Sequence, residues 1–178
     1  MLFRFRGHEL WVQKWWAIGF LLAITLLMPG GIARVAAADV VAPVDAVTLS
    51  PEEQVLWQVL TAARATSNMN PLALDTNAMA LARNRSMDMA ARTYFDHMNP
   101  DGKTMLDLVA NYGITYHAIG EMIAFNLGVP DCGSEAAKGF IASPVHHAIF
   151  FNDRFTTAGI GHAVDGNGKH YFTVIVLS

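Results

Sequence analysis

A single cysteine, Cys132, stands in 178 residues. No internal disulfide can form, so the fold must be held by packing; the thiol reads either as a loop residue without a role or as one half of an intermolecular bridge. No Cys/His group has the spacing of a structural zinc site. Positive charge is also scarce: 12 Lys and Arg against 15 Asp and Glu leave a net charge of −3 at neutral pH, with no basic cluster or stripe. That excludes nucleic acid and electrostatic docking to anionic lipid as partners. No internal repeat or low-complexity tract is visible. No apolar run reaches the roughly 18 residues of a spanning helix; the run from Trp15 to Met28 has 14.

That run nevertheless has meaning. Arg4, Arg6 and Lys14 precede it, Pro29-Gly30-Gly31 breaks it, and Ala36-Ala37-Ala38 follows. A basic start, an apolar middle and a small-residue end predict a secretory signal peptide over 1–38, cut after Ala38. The alternative is an uncleaved anchor touching the membrane through 15–28, with Trp11, Trp15 and Trp16 at the interface. Removing 1–38 leaves 140 of the 178 residues, the size of one domain. Residues 39–49 read as an extended linker and 50–178 as the domain.

Ser50-Pro51-Glu52-Glu53 is a helix start, with Ser as N-cap, Pro at the first helical position and Glu at the third. Val55, Leu56, Val59, Leu60 and Ala63 then share one face of a helix to about Thr66. Residues 68–74 read as a loop around Pro71. Asp75 or Thr76 caps a second helix to about Tyr94, with Met79, Ala82, Met87 and Ala90 inward and Arg83, Arg85 and Asp88 outward. Thr104 caps a short third helix that Gly113 ends. Tyr116 to Asn126 reads as a strand, Ser134 as the cap of a fourth helix, and 157–164 and 170–177 as two strands joined by the Asp165-Gly166-Asn167-Gly168 turn. The order predicts an α+β domain: a small antiparallel sheet covered by helices on both faces.

Three polar groups interrupt the apolar pattern. His97 follows two aromatics just past a helix end, Glu121 sits inside Ala118-Ile119-Gly120-Glu121-Met122-Ile123-Ala124, and His146 follows Ser143-Pro144-Val145. A carboxylate among such neighbours needs a partner, and the Gly before it suits close backbone approach. Of His146 and His147, one is expected to point inward and the other outward. Two imidazoles and a carboxylate in one cleft would form a proton-transfer or metal-binding site. Ser143 lacks the glycine-flanked elbow of a serine nucleophile.

Together these blocks resemble the CAP superfamily (cysteine-rich secretory, antigen 5 and pathogenesis-related 1 proteins), and within it the short bacterial SCP-like secreted branch. The resemblance runs over about 52–177. It rests on Leu60-Thr61-Ala62-Ala63-Arg64, Pro71-Leu72-Ala73-Leu74-Asp75, Phe95-Asp96-His97 with Pro100-Asp101-Gly102, Gly120-Glu121-Met122-Ile123-Ala124, Ser143-Pro144-Val145-His146 with Gly159-Ile160-Gly161, and Tyr171-Phe172-Thr173. It implies a three-layer α-β-α sandwich with a surface cleft. In eukaryotic relatives that cleft holds two His and two Glu, sometimes around zinc or magnesium. His97, Glu121 and His146 map onto three of these positions, and Ser143 stands where the second Glu would be. Met122 and His147 replace a typical Asn and Arg, and the eukaryotic disulfides are absent.

The resemblance implies a secreted or extracytoplasmic monomer whose cleft, formed by His97, Glu121, Ser143 and His146, binds a small apolar ligand or a partner peptide without catalysis. Two alternatives stay open. One is a metal-dependent hydrolase using His97, Glu121 and His146 around zinc or magnesium. The other is an envelope structural module whose cleft is idle.

Overall fold

The computed structural model describes residues 48–178. The signal peptide or anchor expected over 1–38 and most of the linker lie outside the described residues. Helix α1 spans Pro51–Thr66, strand β1 Ala73–Leu74, α2 Thr76–Arg92, α3 Met105–Leu108 with a 3-10 turn at Val109–Tyr112, β2 Ile119–Leu127, α4 Cys132–Ala142, α5 Pro144–Phe150, β3 Thr157–Val164 and β4 Lys169–Leu177.

The caps follow the local chemistry. Ser50 Oγ accepts from the Glu53 backbone N–H at 3.2 Å while Glu53 Oε2 accepts from the Ser50 N–H at 2.9 Å, a closed capping box. Asp75 caps α2 through the Ala78 N–H. Helix α4 begins three residues earlier than expected, because Asp131 and not Ser134 is the N-cap; its carboxylate accepts from the Ser134 N–H at 3.1 Å.

The sheet runs in the order β1-β3-β4-β2. Both long pairings are antiparallel, as expected, but β1 pairs in parallel with β3, so the sheet is mixed. The expected loop 68–74 thus contributes a two-residue strand. Such a strand is set by its tertiary neighbour and leaves no period in the sequence.

Alternation along β4 sorts the layers. Tyr171, Ile175 and Leu177 pack against α2, while Phe172, Val174 and Val176 pack with Leu56 and Leu60 of α1, Phe140 of α4 and Phe150 of α5. The result is helix, sheet, helix. On α2 the inward stripe is Ala78, Leu81, Ala82, Arg85 and Met89; Met87, expected inside, is 52% exposed, and Arg85, expected outside, is fully buried. The two errors have one cause. Spacing of four and three residues through 78, 82, 85 and 89 continues one helical face, and the charge of Arg85 masked it.

Two arginines lock the helices. Arg83 forks onto Glu53, with Nε to Oε1 at 2.9 Å and Nη2 to Oε2 at 2.6 Å, joining α2 to the start of α1. Arg64, buried in α1, donates to the Asn70 carbonyl and to the Phe150 carbonyl at the end of α5. Burial lowers its pKa, and its donors satisfy carbonyls rather than a carboxylate. Gly120 lets α5 approach β2: a Cβ there would lie 2.9 Å from Ile149 Cγ2.

Candidate functional site

Glu121 points from β2 to the α2 side of the sheet, opposite Ile175 of β4, and only 9% of it is exposed. Its charge is matched within the protein. Arg85 Nε donates to Oε1 at 2.8 Å, and His97 Nδ1 lies 2.7 Å from Oε2. An ionised carboxylate only accepts, so Nδ1 of His97 carries a proton toward Oε2, and Nε2 is the nitrogen that Glu121 leaves free. Arg85 also holds the loop that carries His97, donating from Nη2 to the carbonyls of Asp96 at 3.1 Å and His97 at 2.9 Å. Burial alone would lower the Arg85 pKa; the charge and hydrogen bond of Glu121 override it and leave it above the ordinary value.

The network continues outward. Arg85 Nη1 donates to Tyr94 Oη at 2.9 Å, and Tyr94 donates to Asp88 Oδ2 at 2.6 Å. Burial first, then Asp88, push the Tyr94 phenol up to about 12, so it stays protonated and keeps both contacts. Asp88 pairs with Arg92, which reaches Asp101 at the surface.

His146 arrives from α5, on the opposite side of the sheet. Its ring meets buried Phe140 edge to face at 5.2 Å. His147 turns outward and stacks on Phe151 at 4.0 Å, as the inward–outward expectation required. Burial, and after it the nearby charge of His97, holds His146 below the usual histidine pKa. The unfolded chain therefore protonates His146 more readily than the folded one. The neutral ring's contribution is complete above about pH 6.5 and is lost as pH falls through the depressed folded value. Stability measured by urea midpoint should fall as pH drops below about 6.5, and His146→Gln should make that fall shallower. An unchanged slope in the variant would refute the burial of this ring.

The structure thus ties His97 directly to Glu121 and sets His146 near enough to feel the charge of His97. Ser143 joins α4 to α5; its hydroxyl makes no cap bond, and no hydrogen bond ties it to the other three. Sequence reasoning missed Arg85. The signal was available: a carboxylate embedded in apolar strand residues demands a cation, and Arg85 is in register with the apolar face of α2.

The cysteine-rich secretory protein (CAP) family profile matches residues 57–177. The "Uncharacterized protein YkwD" of Bacillus subtilis (strain 168) is 30% identical over 120 residues, covering 67% of this chain and 46% of that protein. The chain therefore spans about half the length of that curated relative. Among solved structures, an outer surface protein from Borrelia burgdorferi superposes with a TM-score of 0.65 at 15% identity, covering 74% of this chain and 96% of that one. An extracellular SCP-domain protein from Bacillus anthracis superposes with a TM-score of 0.60 at 24% identity, covering 73% and 44%. Those two likenesses speak to the fold alone. The chain belongs to the CAP family, as the profile match over most of its length establishes. Among the described residues no helix is long and apolar enough to cross a membrane.

Proposed function

We propose that this chain is an extracellular, non-enzymatic binding module whose cleft beside His97, Glu121 and His146 receives apolar side chains of a partner peptide. The observation that carries the reading is an open apolar rim next to His97. Phe95 and Phe125 meet edge to face at 4.7 Å. With Met98, next in chain to His97, and Leu127, two residues along β2, they remain 39–59% exposed. Hydrophobic side chains grouped in the open mark contact surfaces. Lys169 Nζ lies 3.7 Å above the Phe125 ring and offers a charge at the same rim. A small apolar ligand, the other occupant expected from the sequence, needs a concave pocket that buries most of its surface; the exposure of these four side chains favours a peptide. The basic and apolar pattern of residues 1–38, together with an extracellular relative, supports export.

The same geometry weighs against the hydrolase. Both Glu121 oxygens already accept hydrogen bonds, so the carboxylate is not a free base. A zinc or magnesium ion bound by Glu121 itself would have to share an oxygen that already accepts from Arg85 or His97.

The test is capture from a random peptide panel, with parallel native mass spectrometry against lipids and sterols. The proposal expects peptides enriched in apolar residues, and Phe95→Ala or Phe125→Ala weakening them by about tenfold or more, the signature of a contact worth over about 1.4 kcal/mol. Lipid binding without peptide capture would replace the occupant. Silence in both panels would leave the idle structural module as the surviving reading.

A further inference from the structure

A second cluster lies at the end of the sheet where β2, β3 and β4 meet the first turns of α1 and α4. One donor atom from each of Cys132, His162 and His170 lies within 4.8 Å of the other two, and among the described residues no other set of three His, Cys, Asp or Glu does so. We propose that Cys132 Sγ, His162 Nε2 and His170 Nδ1 form a zinc site, three protein ligands with the fourth position open.

The fold builds this set from three elements. Cys132 opens α4 and is buried, where the sequence suggested a loop thiol; an intermolecular disulfide has little access to it. His162 on β3 and His170 on β4 project from the same sheet face, since odd-numbered Gly159 and Gly161 of β3 face α2. Their facing nitrogens stand 2.9 Å apart, with the rings near parallel. Zinc held at ordinary bond lengths places two imidazole nitrogens roughly 3.3 Å apart, so the rings need to part by only a few tenths of an ångström. Phe172 stacks on His162 at 4.7 Å and fixes its plane.

The outer contacts point the same way. A histidine that ligates through one nitrogen presents an N–H on the other, and that N–H needs an acceptor. For His162 the remaining nitrogen, Nδ1, already faces Glu52 Oε2 at 3.7 Å. For His170 the residue directly opposite in the β2–β4 register is Asn126. Asn126 donates to the Cys132 carbonyl at 2.8 Å, yet its own Oδ1 is buried with no hydrogen-bond partner. An orphaned buried acceptor is rare and asks for a donor; the Nε2–H of His170 would supply one if the ring shifted toward Asn126 on taking up the metal. A recess of about 160 Å³ lined by Glu52, Pro130, Asp131 and Cys132 borders the cluster on the Cys132 side.

Thiolate and imidazole donors select zinc-like ions over calcium and magnesium. Binding would release one proton, from the Cys132 thiol, to solvent. The proton now shared between the two rings would move to an outer nitrogen, so each imidazole stays neutral. The cluster lies on the other face of the sheet from Glu121, and the inference does not rest on the ligand proposed for the cleft.

The test uses the full chain, reduced, with cobalt as spectroscopic probe. The expected result is a near-ultraviolet thiolate-to-cobalt charge-transfer band with tetrahedral visible bands, displaced by one equivalent of zinc. Cys132→Ser should abolish the charge-transfer band, and Cys132→Ser or His170→Gln should weaken zinc by more than about 100-fold, beyond the 10–100-fold expected for Asn126→Leu as an outer partner. A His97→Ala/His146→Ala variant should keep the band. Zinc should also slow alkylation of Cys132 in the unaltered chain, with a chelator restoring the rate, a readout that needs no variant. No band at saturating cobalt, a band that survives Cys132→Ser or vanishes in the cleft variant, or alkylation indifferent to zinc would each overturn the site.

Discussion

Replacing Arg85 with methionine is expected to lower stability by about 3–5 kcal/mol, because it strands the Glu121 carboxylate in the interior without a counter-charge. A domain of this size has about 5–15 kcal/mol in all, so the variant should be near the edge of folding. The effect belongs to the unmatched charge. Replacing both partners, as in Arg85→Met with Glu121→Leu, removes two desolvated ions and should recover part of the loss. Recovery stays incomplete, because the carbonyls of Asp96 and His97 and the Tyr94 hydroxyl also lose their donor, at about 1–3 kcal/mol for a buried group left unsatisfied. Urea denaturation of the two single variants and the double variant closes the cycle. A cost below about 1 kcal/mol for Arg85→Met would mean that the pair behaves as a solvated surface bridge. Loss of Arg85 should also free the His97 ring, since the same guanidinium fixes the loop below it, so peptide binding at the rim should weaken with stability.

Gly159→Ala and Gly161→Ala are expected to cost about 3 kcal/mol or more each, at or beyond the top of the range for overpacked cores. A Cβ on Gly159 would sit 2.1 Å from the Ala78 carbonyl carbon, and one on Gly161 would sit 2.2 Å from that of Ala82. Both obstacles are helix backbone, which cannot rotate away. Helix α2 would have to retreat by more than an ångström to reach ordinary contact, taking Arg85 with it and parting the Ser86 hydroxyl from the Gly161 carbonyl, now 3.0 Å away. Gly166→Ala, where nothing lies within 4 Å, is the control and should stay within about 0.5 kcal/mol. Thermal unfolding of the three variants decides it, and a Gly159→Ala chain as stable as the control would show that α2 does not seat on β3 this closely.

The site is organised by charge pairing across the sheet. Helix α2 supplies the cation, β2 the anion and the loop after α2 the imidazole, so three stretches of chain settle into one hydrogen-bonded unit. A histidine held this way has a fixed ring orientation and one nitrogen free toward the rim.

The sequence by itself determined whatever depends on neighbours along the chain. Ser50, Asp75 and Thr104 mark helix starts because a cap acts within three residues. The period of 3.6 puts Leu56 and Leu60 of α1 inside, and the run of β-formers marks β4 as a strand. The antiparallel β3–β4 hairpin follows from its turn, and His97, Glu121 and His146 stand out as polar groups in apolar surroundings. Only the tertiary structure decided the rest. The parallel β1, the burial of Arg85, the outward turn of Met87 and the meeting of Cys132 with His162 and His170 all join residues tens of positions apart. For β1 and Cys132 the partner is remote and leaves no local trace; for Arg85 the helical spacing placed it on the apolar face, but a guanidinium looks solvent-bound until its carboxylate is placed beside it.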